Sequence, residues 1–362
     1  MRLRNKLFFL LNHFFSKVFA NLFPIFLLCV SSGIFVPSAN AAGERIGNIR
    51  IESISFRPTL LTLEDEGGEF DLADSSFSLS WKRDNNISTF VAVGSTEERN
   101  LPIYYAAPQL DNVGFFEAYA QYAGLYGNIR FGLLPLGYSY DGRLAEQDEV
   151  FNESLLFEER VIGRRDYGLS YYVTHKGYFT ELIAHNGEID TESDGRLFVT
   201  GHWGWTDSNR WTTTMSLQTG SVQGDVSDGG TNTLAGVTNG ESAKWRHGAF
   251  YVNYHPRNLN VVMQIAGGAV EQDNYDGDYS SWLIELSHMW SKNMGFGIRI
   301  DELDPNRDLP DDKTTKTHLA LMLRSNDRTS NVYLVGTKVS EEKGEVPNDE
   351  LRLVWYVTPF AN

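Results

Sequence analysis

The chain has 362 residues, 22% of them charged, with 47 acidic against 31 basic side chains and a mean hydropathy of −0.31. These averages argue against a bundle of membrane helices. The acidic balance, without a basic cluster interleaved with aromatics, argues against nucleic acid as a partner.

The first residues depart from those averages. Arg2, Arg4, Lys6 and Lys17 occur with no acid, an apolar run follows from Leu22 to Val36, and Ala39-Asn40-Ala41 forms an A-x-A site. Residues 1–41 read as a secretory signal cleaved before Ala42, leaving 42–362 as the mature protein. The only cysteine, Cys29, lies inside that apolar run, so the mature chain is expected to lack disulfides, thiol nucleophiles and cysteine-ligated metals. Losing four bases from 31 against 47 acids gives it a formal charge of −20.

From there on, no segment is apolar for the roughly 18 residues a membrane helix needs. Stretches of about ten residues instead alternate in polarity. Ile129, Phe131 and Leu133 alternate with Arg130 and Gly132. Trp211, Thr213, Met215 and Leu217 share one face against Thr212, Thr214, Ser216 and Gln218, and Phe296, Ile298 and Ile300 oppose Gly297, Arg299 and Asp301. These are period-two strands with one apolar face.

Breaks between the strands alternate in length. Short ones fall at 83–86, 126–128, 175–177, 207–210, 256–258, 291–293 and 325–328; long polar ones fall at 57–74, 96–112, 135–165, 188–195, 221–243, 271–279, 302–313 and 341–349. Sixteen strands result, an even number, so the last can pair with the first. The expected fold is all-β: a transmembrane antiparallel β-barrel of about 16 strands. Placing Arg or Lys against lipid at mid-membrane costs about 2–4 kcal/mol. The faces assigned outward accordingly carry Phe, Leu, Ile, Val, Trp, Tyr, Ala and Gly. Trp203, Trp205, Trp211, Trp282 and Trp290 stand at outward positions near strand ends, as interface anchors do.

The faces assigned inward carry Arg50, Lys82, Glu117, Arg130, Glu181, Glu285, Arg299, Asp301, Arg324 and Lys338, which are the candidate pore-lining residues. The 135–165 connection holds Phe151, Leu155, Leu156, Phe157, Val161 and Ile162, too apolar for a loop in water, and a barrel this wide needs a constriction. It is therefore expected to bend into the lumen. Its candidate constriction residues are Asp141, Arg143, Glu153, Glu159, Arg160, Arg164 and Arg165, with Glu159 expected to pair with Arg160, Arg164 or Arg165.

Two stretches carry family resemblances. The closing "WYVTPF" is similar to the C-terminal signal by which outer-membrane barrels are handed to their assembly machinery, although Pro359 interrupts it and Ala361 and Asn362 follow Phe360. The region from Gly132 and Pro135, through Phe157, Glu159 and Arg160, to Arg165, Asp166 and Gly168 resembles the phosphate-selective porin O/P-like family. That resemblance implies a homotrimeric outer-membrane porin with an inward third loop, passing small hydrophilic solutes and ions by passive diffusion. It further implies anion preference, but rings of one sign select ions of the other, and the inward and loop charges are nearly balanced. A general or weakly cation-preferring pore is the expectation. A specific phosphate or sugar channel is the alternative, and a soluble secreted β-sandwich a remoter one.

No catalytic residues are expected: the seven mature histidines lie at no metal-ligand spacing, and no serine is singled out as a nucleophile partner. No cofactor is expected either. The aspartates of 273–281 and 301–312 do not fit a calcium loop; they read as a solvated exterior, with calcium or lipopolysaccharide bridging as the functional alternative.

Overall fold

Alternating β-branched, aromatic and small polar residues yield strands almost throughout. In the computed structural model, residues 45–357 are described except 47–48, 64–66, 72–74, 85, 96–112, 144–149, 152, 160, 188–196, 208–209, 224–241, 273–274, 311, 327–328 and 343–348. The expected signal at 1–41, Arg160 and residues 358–362 thus lie outside the described residues.

Nineteen antiparallel segments form one sheet. They are β1 (Arg45–Ile46), β2 (Ile49–Ser55), β3 (Thr59–Leu63), β4 (Gly67–Asp71), β5 (Ser76–Lys82), β6 (Ile87–Ser95), β7 (Val113–Ala123), β8 (Asn128–Pro135), β9 (Arg165–His175) and β10 (Tyr178–His185). There follow β11 (Phe198–Asp207), β12 (Trp211–Gln223), β13 (Ser242–Tyr254), β14 (Leu259–Gln272), β15 (Tyr275–Met289), β16 (Met294–Asp304), β17 (Thr314–Arg324), β18 (Ser330–Glu341) and β19 (Glu350–Val357). The only described helix of α type is α1 (Leu155–Glu158).

β2 and β3 are two halves of one run, and so are β5 and β4, because β2 pairs with β5 while β3 pairs with β4. With these merged and the two-residue β1 set aside, sixteen strands remain. Each pairs with the next, and β19 pairs with β3 from Val354↔Thr59 to Glu350↔Leu63. Phe56 and Val357 exchange both backbone hydrogen bonds at 2.9 Å, so the pairings run full circle and satisfy the edges that an open sheet would expose.

The short turns fall where expected. At β9–β10 the ladder pairs Tyr178 with His175, leaving Lys176 and Gly177 as a two-residue turn with φ of 50° and 86°. That is the mirror-image turn whose twist suits a hairpin. A Cβ at Gly177 would lie 2.6 Å from the Thr206 carbonyl, so only glycine fits.

Two expected long connections are largely strand instead. Residues 57–74 contain β3 and β4, and 271–279 contain the end of β14 and the start of β15. Acidic residues suggested loops there, but β14 and β15 are 14 and 15 residues long, whereas about 9–11 cross the hydrocarbon. Their ends stand in water, where a strand tolerates charge.

Side chains sort by face. Phe131, Leu169, Leu182, Met215, Phe250, Met263 and Ile265 are exposed outward, while neighbours of opposite parity such as Ser170, Thr200, Ser216, Gln264 and His318 are buried inward. No described helix is long and apolar enough to cross a membrane.

Candidate functional site

The third long connection leaves β8 at Pro135, returns at Arg165, and lies against the inward face of the sheet. At its neck the Leu136 amide donates to the Arg164 carbonyl (2.7 Å), and His202 Nε2 on β11 donates to the Leu136 carbonyl (2.5 Å). Tyr140 packs with Tyr251, Val262 and Leu283 of β13–β15, and its amide donates to Gln264 Oε1 (2.7 Å). Tyr138, Leu155, Leu156, Phe157, Val161 and Ile162 form one buried cluster with Ala249, Tyr279 and Leu303. Each such side chain contributes about 1.5–3 kcal/mol on burial, which offsets ordering a segment of this length.

A second apolar contact lies on the last strands. Phe151 is buried with Ala320, Met322, Tyr333, Val335, Val354 and Tyr356. Leu353 and Trp355 face outward while Val354 and Tyr356 meet the loop, which is why β19 is apolar on both faces.

Charge fixes the loop at its centre. Asp141 Oδ2 accepts from Arg299 Nη2 (2.7 Å) and from the Ser154 amide (2.8 Å). Asp301 Oδ2 accepts from the Leu155 amide (2.8 Å), and its other oxygen is 3.3 Å from His318 Nε2. Glu285 Oε2 lies 3.9 Å from Arg299 Nη1. Glu285, Arg299 and Asp301, expected to line open water, are instead sealed beneath the loop: they point inward, but the loop's own backbone and Asp141 cover them. Sequence parity gives the direction of a side chain and not what lies over it.

The remaining expected residues divide as follows. Arg50 and Glu52 lie 3.3 Å apart with much of their surface open. Arg130 rests over the rings of Tyr119 and Tyr172 at 5.6 and 5.5 Å, donates to Gln121 Oε1 (3.1 Å), and lies 3.9 Å from Glu181. Glu117 is inward on β7, opposite Ala92. Lys82 is exposed at the turn end of β5, and Arg324 donates to Asn331 Oδ1 (3.1 Å) at the turn end of β17.

Lys338 contradicts its assignment. Its strand neighbours Thr337 and Val339 are buried and it is exposed, opposite outward Thr317. It sits near the loop end of β18, the end of the sheet at which the outward-facing Arg246–Glu271 pair (2.7 Å) also stands.

In the loop, Arg164 pairs with Glu153 (2.8 Å) and covers the Phe157 ring. Arg165 covers the Phe116 ring at 4.5 Å. Lys316–Glu158 (2.5 Å) adds a contact that the sequence reading did not single out. Arg143 lies 4.6 Å above the Phe179 ring, and its Nε and Nη2 are buried without an acceptor among the described residues.

The described loop contacts fall on β7, β10, β11 and β13–β19, leaving the inward faces of β2, β5 and β6 uncovered by them. That wall carries half-buried Ser53, Ser76, Ser80 and Phe90, with Ser78 buried among them. The Ser53 and Ser78 hydroxyls are 2.5 Å apart, and Ser80 bonds Glu52. One side of the interior is thus filled by the loop and the other is hydroxylic.

The sequence matches no protein-family model and no curated protein. Solved structures do match in fold. OmpT, an outer-membrane protein of Vibrio cholerae, superposes with a TM-score of 0.62 at 9% identity, over 88% of this chain and 100% of that one. The outer-membrane channel DcaP of Acinetobacter baumannii gives 0.62 at 9%, over 88% and 99%. An anion-selective porin from Comamonas acidovorans gives 0.61 at 11%, over 86% and 99%. At such identity the likeness is one of fold, and the fold is a porin-type β-barrel.

Proposed function

We propose that this protein is an outer-membrane porin of bacteria, passing small hydrophilic solutes and ions by passive diffusion through water beside the inward loop. One observation carries the reading: a ring of strands, apolar outside and polar inside, holds a loop folded against only part of its inner wall. An outward apolar belt is stable against hydrocarbon, and a lumen narrowed but not filled by one loop is a sieve. The neighbouring folds support a homotrimer, one of them being described as a trimer form.

Incorporation of the purified protein into a planar bilayer tests the proposal. The expected result is ohmic conductance with a modest reversal potential in a potassium chloride gradient. Protein that stays in buffer without detergent and carries no current overturns it.

A second reading, an anion-preferring channel, has its own support. Asp141, Glu285 and Asp301 are withdrawn beneath the loop around Arg299, whereas Arg143 keeps two buried N–H groups without acceptors among the described residues. Unmet buried donors cost about 1–3 kcal/mol each, which an anionic solute would relieve. The loop's likeness to phosphate-selective porins points the same way. Chloride-selective reversal, or current block by phosphate, favours this reading; cation-selective reversal removes it.

A further inference from the structure

We infer that the turn-side rim of the barrel binds the headgroups of anionic phospholipids, an inference that rests on the membrane-spanning reading. Five of the seven short turns place a cation beside an outward aromatic side chain: Arg83 after Trp81, Lys176 before Tyr178, Arg210 before Trp211, Arg257 after Tyr254, and Lys292 after Trp290. All five cations are exposed. Among the described residues, none of the five makes an ion pair.

Two features place the cations at headgroup depth. Outward Trp and Tyr mark the boundary between hydrocarbon and water; Tyr178, Trp290 and Trp211 are 65%, 50% and 41% exposed, and the Trp211 and Tyr254 ring centroids lie 4.3 Å apart. Each cation lies within three residues of such a ring, in turns too short to extend beyond the phosphate layer. The described acids at this end, Asp84 and Asp207, do not cancel the charge, and Asp84 is engaged by the amides of Asn86 and Ile87 at 2.7 and 2.9 Å.

The opposite end carries both signs. Glu271, Asp278, Glu302, Glu341 and Glu342 stand at the loop ends of β14–β18 beside Arg246, Lys313 and Lys338, and Arg246 and Lys313 are paired there with Glu271 and Asp304. The five turn cations, by contrast, have few acids near them. Because those residues flank lipid-facing rings on the outer circumference, the phosphates they meet belong to lipid, rather than to a solute in the pore or a polymer across its mouth.

The test reconstitutes the full mature protein in phosphatidylcholine vesicles containing a minor fraction of phosphatidylglycerol, with bromine on the chains of one lipid or the other. Tryptophan quenching reads which lipid surrounds the protein. Wild type should favour phosphatidylglycerol about fivefold at low salt, and the preference should vanish near 1 M salt. The variant carrying Arg83→Gln, Lys176→Gln, Arg210→Gln, Arg257→Gln and Lys292→Gln should show none while keeping wild-type conductance. Equal quenching by both lipids in wild type, or a preference retained by the variant, overturns the inference. So does co-sedimentation with purified peptidoglycan without lipid preference, which assigns the rim to the cell wall. A protein that inserts and conducts but shows no preference sinks this inference alone, whereas failure to insert sinks the porin reading.

Discussion

Arg299 and Asp141 lie 158 positions apart in sequence, yet the Nη2 of one donates to the Oδ2 of the other at 2.7 Å, with both side chains at most 2% exposed. This contact joins the third loop to the far wall of the barrel, and the two neighbouring acids make its cation indispensable. Deleting one partner of a buried pair costs about 3–5 kcal/mol, because the other charge stays buried without compensation. Arg299→Met should therefore lower the temperature at which the folded band disappears in unboiled gel samples. It should also add open-channel current noise as the loop loosens. A quiet channel with wild-type heat resistance would show that the loop is held elsewhere.

Phe151 is the apolar counterpart of that latch. A Cβ at Gly297 would come within 2.6 Å of Phe151 Cζ, so Gly297→Ala forces the ring to move at a cost of about 1–3 kcal/mol. Phe151→Ala removes the ring at about 3–5 kcal/mol. Because one contact causes both effects, the double variant should be less destabilised than the sum of the single ones. Strict additivity in denaturant titrations would refute direct contact.

Lys338 and Arg130 make opposite predictions for current. Lys338→Gln, outside the barrel, should leave the reversal potential in a salt gradient unchanged. Arg130→Gln, in the lumen above the rings of Tyr119 and Tyr172, should shift it toward cation preference. A shift for Lys338→Gln of the size seen for Arg130→Gln would return Lys338 to the lumen.

Tyr140 sets an alkaline limit on the loop. Burial, and then the nearby Glu285 carboxylate, push its hydroxyl well above the ordinary tyrosine range, against the smaller effect of the hydrogen bond from Asn260 Nδ2 (3.2 Å). A phenol whose pKa is higher folded than unfolded contributes fully below the unfolded value of about 10. The contribution falls as pH rises from there toward the folded value. Wild type should lose stability above about pH 10, and Tyr140→Phe should flatten part of that limb. Matching alkaline limbs in urea titrations of the two proteins would remove Tyr140 from the account.

How much the sequence shows can be followed residue by residue. Phe131 against Arg130, and Met215 against Ser216, reveal their faces because strand side chains alternate with a period of two. The turn at Lys176-Gly177 is equally legible from its chemistry. Lys338 is misassigned because parity near a strand end loses its meaning once the strand leaves the hydrocarbon and outward charge carries no penalty. The 57–74 and 271–279 segments are misread for a related reason: acids mark solvent, and strands that overshoot the membrane stand in solvent too. The apolar composition of 135–165 shows that the loop is packed, but the strand residues that Asp141 and Phe151 meet lie more than 140 positions away, and no local pattern encodes them.

By itself the sequence determined the periodic quantities: sixteen strands, their turns, an outward apolar face and an inward loop, all consequences of local backbone geometry and of where charge is expensive. Only the tertiary structure decided which inward charges meet water. Closing the ring lays the loop over Glu285, Arg299 and Asp301 and leaves Arg130 and the serine wall outside the described loop contacts. Exposure in a lumen depends on what the opposite side of the ring brings across, and that is a long-range property of the closed sheet.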